Sequence, residues 1–325
     1  MKERDIIAAL RSGLSTRNIQ QGNPFDRDAE IIEIDGVRFA FSCDEFSDED
    51  GMPTDNPRQL GWNLVTATFS DIIAAGAKPL HLMQSFAVAK FMDEAWLKEF
   101  SRGAESALCA FDATLLGGDV GTADCWRCTG FAVGVYDNDH TMRNRIAVTG
   151  NGKIFVSGRI GDGNLAAARM GGCPMFECRL KEAHLRGITA CMDTSDGLAN
   201  ALQTLSEVNP HIKFEWNAEA TPYAPEVRNA TRDLGLPLEI FALGSAGEYE
   251  LLVLAPGKNT DYLIANGFTC IGEFTEDAVG GLFINHRRQV LRMSTLPDPR
   301  DFASRSAYIT TLSAYCLQLL AGEAR

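Results

Sequence analysis

Short apolar runs of strand length alternate with longer stretches of helical spacing along the whole chain, and this alternation restricts the fold more than any other feature. Glu30 to Ser42 alternates acid and apolar residues around Asp35-Gly36, a hairpin signal with strands near 30–34 and 37–43. The spacing predicts helices over about 58–75 and 93–111, the first entered near Pro57 and closed by Gly76 before Pro79. Strands are expected at 113–116 and 129–136, and a polar stretch follows at 137–151. The pattern then resumes: a strand at 153–157, a helix at 164–170, a strand at 188–192, and a helix with Leu198, Leu202, Leu205 and Val208 on one face. A strand at 249–254 and a helix at 303–321 complete it. Strands and helices interleave in both halves, so the fold class is α/β or α+β. The polar stretch sets two domains, 1–147 and 148–325, within the ~100–200 residues usual for one domain.

Composition limits the partners. Hydrophobic residues make up 45% and charged residues 22%, enough for a core without staples. The formal net charge is −13, from 43 acids against 30 basic residues. Such a surface disfavours nucleic acid and anionic membranes, both of which bind through Lys and Arg. No run approaches the ~20 apolar residues of a membrane span. The start, Met1-Lys2-Glu3-Arg4-Asp5, is charged and has no apolar signal core behind it. Nine scattered cysteines read as reduced thiols, so a cytoplasmic protein is expected. Cys125 and Cys128 form a lone C-x-x-C in or beside a strand and read as structural.

The chemistry is expected at aspartates. Asp71 falls on the stripe of Leu60, Leu64, Ala67 and Ala74 along the first helix, where a carboxylate is partly desolvated and needs a cation or donors. Asp44 ends the apolar run Phe39–Phe41, and Asp119 follows Gly117-Gly118. Asp193 and Asp196 bracket Ser195 after a strand. Alone, Gly-Gly-Asp reads as a tight turn, Asp-Thr-Ser-Asp-Gly as a helix N-cap, and Asp71 equally well as an acid bonded to a backbone amide or an Arg. Together, an all-oxygen set of aspartates suits Mg²⁺, which bridges substrate phosphates. Phosphoryl transfer needs little beyond positioning and charge neutralisation.

Other nucleotide motifs are weak. There is no G-x-x-x-x-G-K-[ST] and no nucleophile elbow, and the five His have no metal-ligand spacing. Gly161-Asp162-Gly163-Asn164-Leu165-Ala166 imitates the dinucleotide fingerprint. The polar segment 171–187 that follows lacks the second strand of a βαβ unit.

The order of motifs resembles the thiamine-monophosphate kinase family and its aminoimidazole-ribotide-synthase relatives. The motifs are Asp44, Leu60-Gly61-Trp62, Phe69-Ser70-Asp71-Ile72-Ile73-Ala74-Ala75-Gly76-Ala77-Lys78-Pro79 and Leu116-Gly117-Gly118-Asp119. Ile154 to Asp162, Met192-Asp193-Thr194-Ser195-Asp196-Gly197-Leu198 and Tyr249-Glu250-Leu251-Leu252 follow in the same order. The resemblance runs from about residue 25 to 302. It implies two α/β domains, a homodimer joined through a β-barrel of N-terminal domains, and ATP held by several Mg²⁺ near that interface. Asp28, Asp44, Asp71, Asp119, Asp193 and Asp196 then correspond to metal ligands, with Asp71, Asp119 and Asp196 also in the catalytic set. Gly117, Gly118 and Ser195 correspond to nucleotide contacts, and Arg143 or Arg145 to the phosphate-contacting arginine.

Departures fall on the acceptor side. The family's Gly-Asp-Asp-Ala reads Asp26-Arg27-Asp28-Ala29, so one acid is now Arg27. Gly51 stands for a substrate-associated His and Gly247 for an acid, with Glu248 next to it as a candidate substrate contact. The loop 45–51 gains Glu45, Asp48, Glu49 and Asp50. The implied function is ATP-dependent phosphorylation of a small molecule, thiamine monophosphate by default. The alternatives are a nucleoside-like alcohol (as in α-ribazole kinases), ATP-driven cyclisation or dehydration, and a non-catalytic nucleotide-binding regulator.

Overall fold

The structure, a computed structural model, describes residues 26–137, 141–146, 148–169, 173–285, 287–290 and 301–321, with single residues at 9 and 297. The first half runs β1 (Glu30–Ile34), β2 (Val37–Ser47), α1 (Pro57–Ala74), β3 (Lys78–Ala89), α2 (Glu94–Phe111), β4 (Thr114–Ala123) and β5 (Arg127–Tyr136). These strands form one sheet in the order β1-β2-β5-β3-β4. All neighbours are antiparallel except β3 and β4, the pair joined through α2.

Three expectations are corrected here. The apolar stripe proposed for α1 is absent, because thirteen of its eighteen residues are buried and the helix is covered nearly all round. β3 was not anticipated, since its mixed burial gives no clean period-two signal. β4 does not stop at Leu116 but runs through Gly117, Gly118 and Asp119. Glycine is needed there for close approach rather than for a turn: a Cβ on Gly118 would lie 1.6 Å from the Gln84 carbonyl oxygen of β3.

The second half runs β6 (Gly152–Ser157), α3 (Asp162–Ala168), β7 (Ala190–Asp193), α4 (Leu198–Val208), β8 (Ile212–Trp216), α5 (Pro225–Leu234) and α6 (Ile240–Leu243). It continues with β9 (Leu251–Ala255), α7 (Thr260–Ala265), β10 (Phe268–Glu276), β11 (Gly281–Ile284), β12 (Arg287–Val290) and α8 (Arg305–Ala321). Its sheet has the order β12-β11-β8-β10-β6-β9-β7. Side chains of successive strand residues point to opposite faces. Leu252 and Leu254 of β9 accordingly enter a core with Phe214, Trp216 and Phe241. Leu251, Val253 and Ala255 enter another with Phe69 and Ile72 of α1. Burial on both faces explains why β9 reads as an unbroken apolar run. The two sheets take their strands from either side of 137–151.

A carboxylate cluster as the candidate active site

Strand alternation fixes which acids meet. In β2, Cys43 is exposed, so Ser42 and Asp44 point the other way, toward α1. The Ser42 hydroxyl donates to Asp71 Oδ2. The neighbouring Ser70 donates to Asp193 Oδ2 at the end of β7, which ties α1 to the second sheet. Asp28 comes in just before β1. Ligand oxygens of Asp28, Asp71 and Asp193 all lie within 4.8 Å of one another.

The charges in this cluster are poorly compensated. Burial, partly offset by Arg145 and reinforced by Asp193, pushes Asp28 up to about 6. Burial, then Asp193, Asp28 and Asp196, push Asp44 up to about 7. Asp71 is pushed well above its ordinary 3.8 by burial first and then by Asp44, Asp193 and Asp28. Arg145 donates to Asp28 Oδ1, and Asp28 with Asp71 and Asp193 outweighs the effect of its burial and keeps it charged. Asp28 Oδ2 is buried and has no hydrogen-bond partner. Converging hard oxygens with an orphaned member are the donor set that Mg²⁺ selects, so the residues present fit such an ion.

The other sequence candidates lie as follows. Ser195 donates its backbone N–H to Asp193 Oδ1 at 3.3 Å, and Asp196 is exposed beside it, near enough to act on Asp44. Gly117, Gly118 and Asp119 lie on the exposed strand β4, and Asp119 is not in the three-carboxylate group. Of the two arginines, Arg145 faces the cluster. Arg143 is 2% exposed and its guanidinium is spent on backbone carbonyls: Ile73 at 3.0 Å, Ala183 at 2.9 Å, Glu182 at 2.6 Å and Leu185 at 3.1 Å. Arg143 thus clamps backbone, and of the two alternatives Arg145 is the one beside the carboxylates. The Gly51 carbonyl accepts from Cys173 N–H at 3.3 Å, placing that loop against the 173–176 segment.

The dinucleotide-like turn is filled from within. Glu248 Oε1 accepts the N–H of Gly161 at 2.6 Å and of Gly163 at 2.9 Å, where a dinucleotide protein would present its amides to a phosphate. Burial outweighs those two bonds and pushes Glu248 up to about 8.

Two residues near the cluster were not found from the sequence. Tyr249 has φ 56, a left-handed backbone that costs an aromatic residue energy. Its hydroxyl is held far above its usual pKa by burial, then by Asp44, Asp193, Asp50 and Asp196, so it looks onto the cluster and the acidic loop. Its ring lies 4.4 Å from that of Phe176. Phe176 belongs to a strap held on α1, where Gln59 donates to the Cys173 carbonyl at 2.9 Å and Asn63 to that of Pro174 at 2.8 Å. Trp62 donates to the Phe176 carbonyl at 2.7 Å. The only signal for Tyr249 is a tyrosine flanked by two acids at a strand start. The strap gave none, because its partners are more than a hundred residues away.

The two-sheet fold is that of AIR synthase-related proteins. The family described as "AIR synthase related protein, N-terminal domain" matches residues 26–136. Thiamine-monophosphate kinase of Methanospirillum hungatei JF-1 is 30% identical over 263 residues, covering 78% of this chain and 85% of that protein. Among solved structures, AaThiL complexed with AMPPCP and TMP is similar with a TM-score of 0.69 at 22% identity, over 87% of this chain and 93% of that one. The E. coli hydrogenase maturation protein HypE is similar with a TM-score of 0.65 at 19% identity, over 92% and 99% of the two chains. This chain belongs to the thiamine-monophosphate kinase family of AIR synthase-related proteins. Among the described residues, no helix is long and apolar enough to cross a membrane.

Proposed function

We propose that the protein is an ATP-dependent kinase that transfers the γ-phosphoryl group of Mg-ATP to thiamine monophosphate, giving thiamine diphosphate. The observation that carries the reading is the convergence of Asp28, Asp71 and Asp193 with one oxygen left orphaned. Asp28, Asp44, Asp71, Asp193 and Asp196 would hold Mg²⁺, which supplies charge neutralisation for the polyphosphate. Arg145, reaching Asp28 from the other side, is the guanidinium for a phosphate oxygen. Ser42 and Ser70 keep two carboxylates aimed inward. Such a site works by positioning and electrostatics, with no covalent intermediate on the protein. The test is a coupled assay for ADP together with chromatographic detection of thiamine diphosphate. ATP binding without product would overturn the kinase reading and favour a regulator.

The reading includes a homodimer. The outward face of the first sheet carries exposed Met83 and Phe131, cross-strand neighbours in register, and the edge strand β4 is exposed along its length, with Asp119 beside Ser85 on that same face. An open edge with an apolar face is a surface that a second copy covers well. Closing that face would also bring Asp119 under cover. Light scattering should give a dimer for the native protein and a monomer for Phe131→Lys; a native monomer with ATP present would refute this part.

A further inference from the structure

Tyr249 stands in a backbone conformation that its residue type avoids. Among the described residues other than glycine, four have positive φ. Asp35, Asp112 and Asn285 are of the types that tolerate it, whereas an aromatic residue there is an outlier. The flanking residues enforce it. Glu248 N–H donates to the Thr194 carbonyl at 3.2 Å, and the Glu250 carbonyl accepts from Thr194 N–H at 2.8 Å. Glu250 N–H donates to the Thr194 hydroxyl at 3.0 Å. Thr194 is fully buried and grips both neighbours, so Tyr249 is pushed out between them.

The side chains divide accordingly. Glu248 turns back to the Gly161 and Gly163 amides, and Glu250 to Ser157 and Arg179, all in the second half of the chain. Tyr249 goes the other way and packs on the core group that contains Phe46 and Ala67. Phe46 lies two residues beyond Asp44 on one face of β2, and Ala67 lies one turn before Asp71 on α1. The ring therefore lies along the faces that carry those two acids. Phe176 closes one side of it. On another, a Cβ on Gly247 would fall 2.0 Å from the Ser195 carbonyl oxygen and 3.2 Å from Tyr249 Cε2, which sets the ring edge near the loop 193–196. Ser42, Ser70 and Arg145 already donate to carboxylates of the cluster. The Tyr249 hydroxyl makes no hydrogen bond among the described residues, and burial, then Asp44, Asp193, Asp50 and Asp196, keep it protonated.

We propose that the Tyr249 hydroxyl donates a hydrogen bond to a non-bridging oxygen of the γ-phosphoryl group, both in bound ATP and as that group is transferred. The assignment rests on the kinase reading above for the transfer, but not for the contact with the nucleotide. In the transfer the bond from phosphorus to the β–γ bridging oxygen breaks and its electron pair leaves with ADP. An oxygen of the acceptor's phosphate bonds to the phosphorus, and Tyr249 keeps its proton throughout. Its part is orientation: in a site made of acids, an uncommitted neutral donor holds an anionic group without adding a repelling charge. The left-handed backbone aims the hydroxyl, and Thr194 is the positioning residue that maintains that backbone.

The experiment uses the full chain and Tyr249→Phe, which keeps the ring and its packing. Titration calorimetry compares Mg-AMPPCP, which carries a γ-phosphoryl group, with Mg-ADP, which does not. Tyr249→Phe should bind Mg-AMPPCP about tenfold more weakly and Mg-ADP as the native chain does, the loss expected for one hydrogen bond to a charged group. Its kcat with thiamine monophosphate should fall about tenfold or more with the acceptor KM unchanged. Thr194→Val removes the hydroxyl that holds Glu250 N–H. It should weaken Mg-AMPPCP binding in the native background and add little in Tyr249→Phe, because both act on one contact. Selective loss of Mg-AMPPCP in Tyr249→Phe, with no phosphoryl transfer by the native chain, would keep the contact and overturn the kinase reading. Native Mg-AMPPCP affinity in Tyr249→Phe, or an equal loss of Mg-AMPPCP and Mg-ADP, would overturn the contact. Additive losses in the double variant would overturn the positioning role of Thr194.

Discussion

Two groups of buried carboxylates share Thr194 as a neighbour, and they are built in opposite ways. Glu250 is fully answered: Arg179 on one oxygen, Ser157 on the other, and its backbone exchanging bonds with Thr194 at 2.8 Å and 3.0 Å. The aspartate cluster has two serine hydroxyls, one backbone N–H and one arginine for Asp28, Asp44, Asp71 and Asp193, and an oxygen with no partner. Buried charge is tolerated when paired and costly when not. The first group therefore holds the fold, and the second is kept incomplete for something that arrives with positive charge.

The sharpest way to break this contrast is to neutralise one member of each. Asp71→Asn should lower kcat/KM on the order of a hundredfold to a thousandfold, as expected when one preorganised charge is removed from a site. Without metal it should melt at a higher temperature, because a carboxylate repelled by its neighbours is gone. Native activity and native Mg-ATP affinity in this variant would remove Asp71 from the site. Glu250→Ala should do the reverse. It strands Arg179 and should cost about 3 kcal/mol in urea unfolding, with or without Mg²⁺. Destabilisation that Mg²⁺ repairs would mean the two groups are not distinct.

A smaller effect should appear with pH. Asp28 and Asp44 hold their protons in the fold to about 6 and about 7, whereas their ordinary value is 3.8. Between those values the unfolded chain has released protons that the fold keeps, so rising pH draws the equilibrium toward unfolding. Metal-free protein should lose stability steadily from pH 4 to pH 8, read from thermal melts, and saturating Mg²⁺ should flatten the profile. A profile rising across this window, or one indifferent to Mg²⁺, would contradict the unpaired character of the cluster.

Much of the cluster could be read from the chain, and the reason is local. Asp71 sits in an apolar helical run, and Asp193 follows a strand; each is anomalous within ten residues of sequence. What escaped is set by distant contacts. Arg143 and Arg145 are two residues apart, and only the fold sends one to four carbonyls and the other to Asp28. Tyr249 is ordinary as a letter and unusual only in its backbone. Phe176 lies in a polar stretch without periodicity, and its partners on α1 are 113 and 114 residues away. Strand β4 was cut short because Gly-Gly-Asp normally means a turn, whereas here the glycines serve strand-to-strand approach.

The Glu248 carboxylate in the Gly161–Gly163 turn also bears on how the protein lives among cellular dinucleotides. A tethered carboxyl group competes at an effective concentration on the order of millimolar or above. A free pyrophosphate group would have to expel it from both amides. The turn thus behaves as a receptor already saturated by its own chain. Pattern matching on Gly161, Gly163 and Ala166 finds a binding loop whose ligand is covalently supplied, and that internal ligand anchors the start of α3.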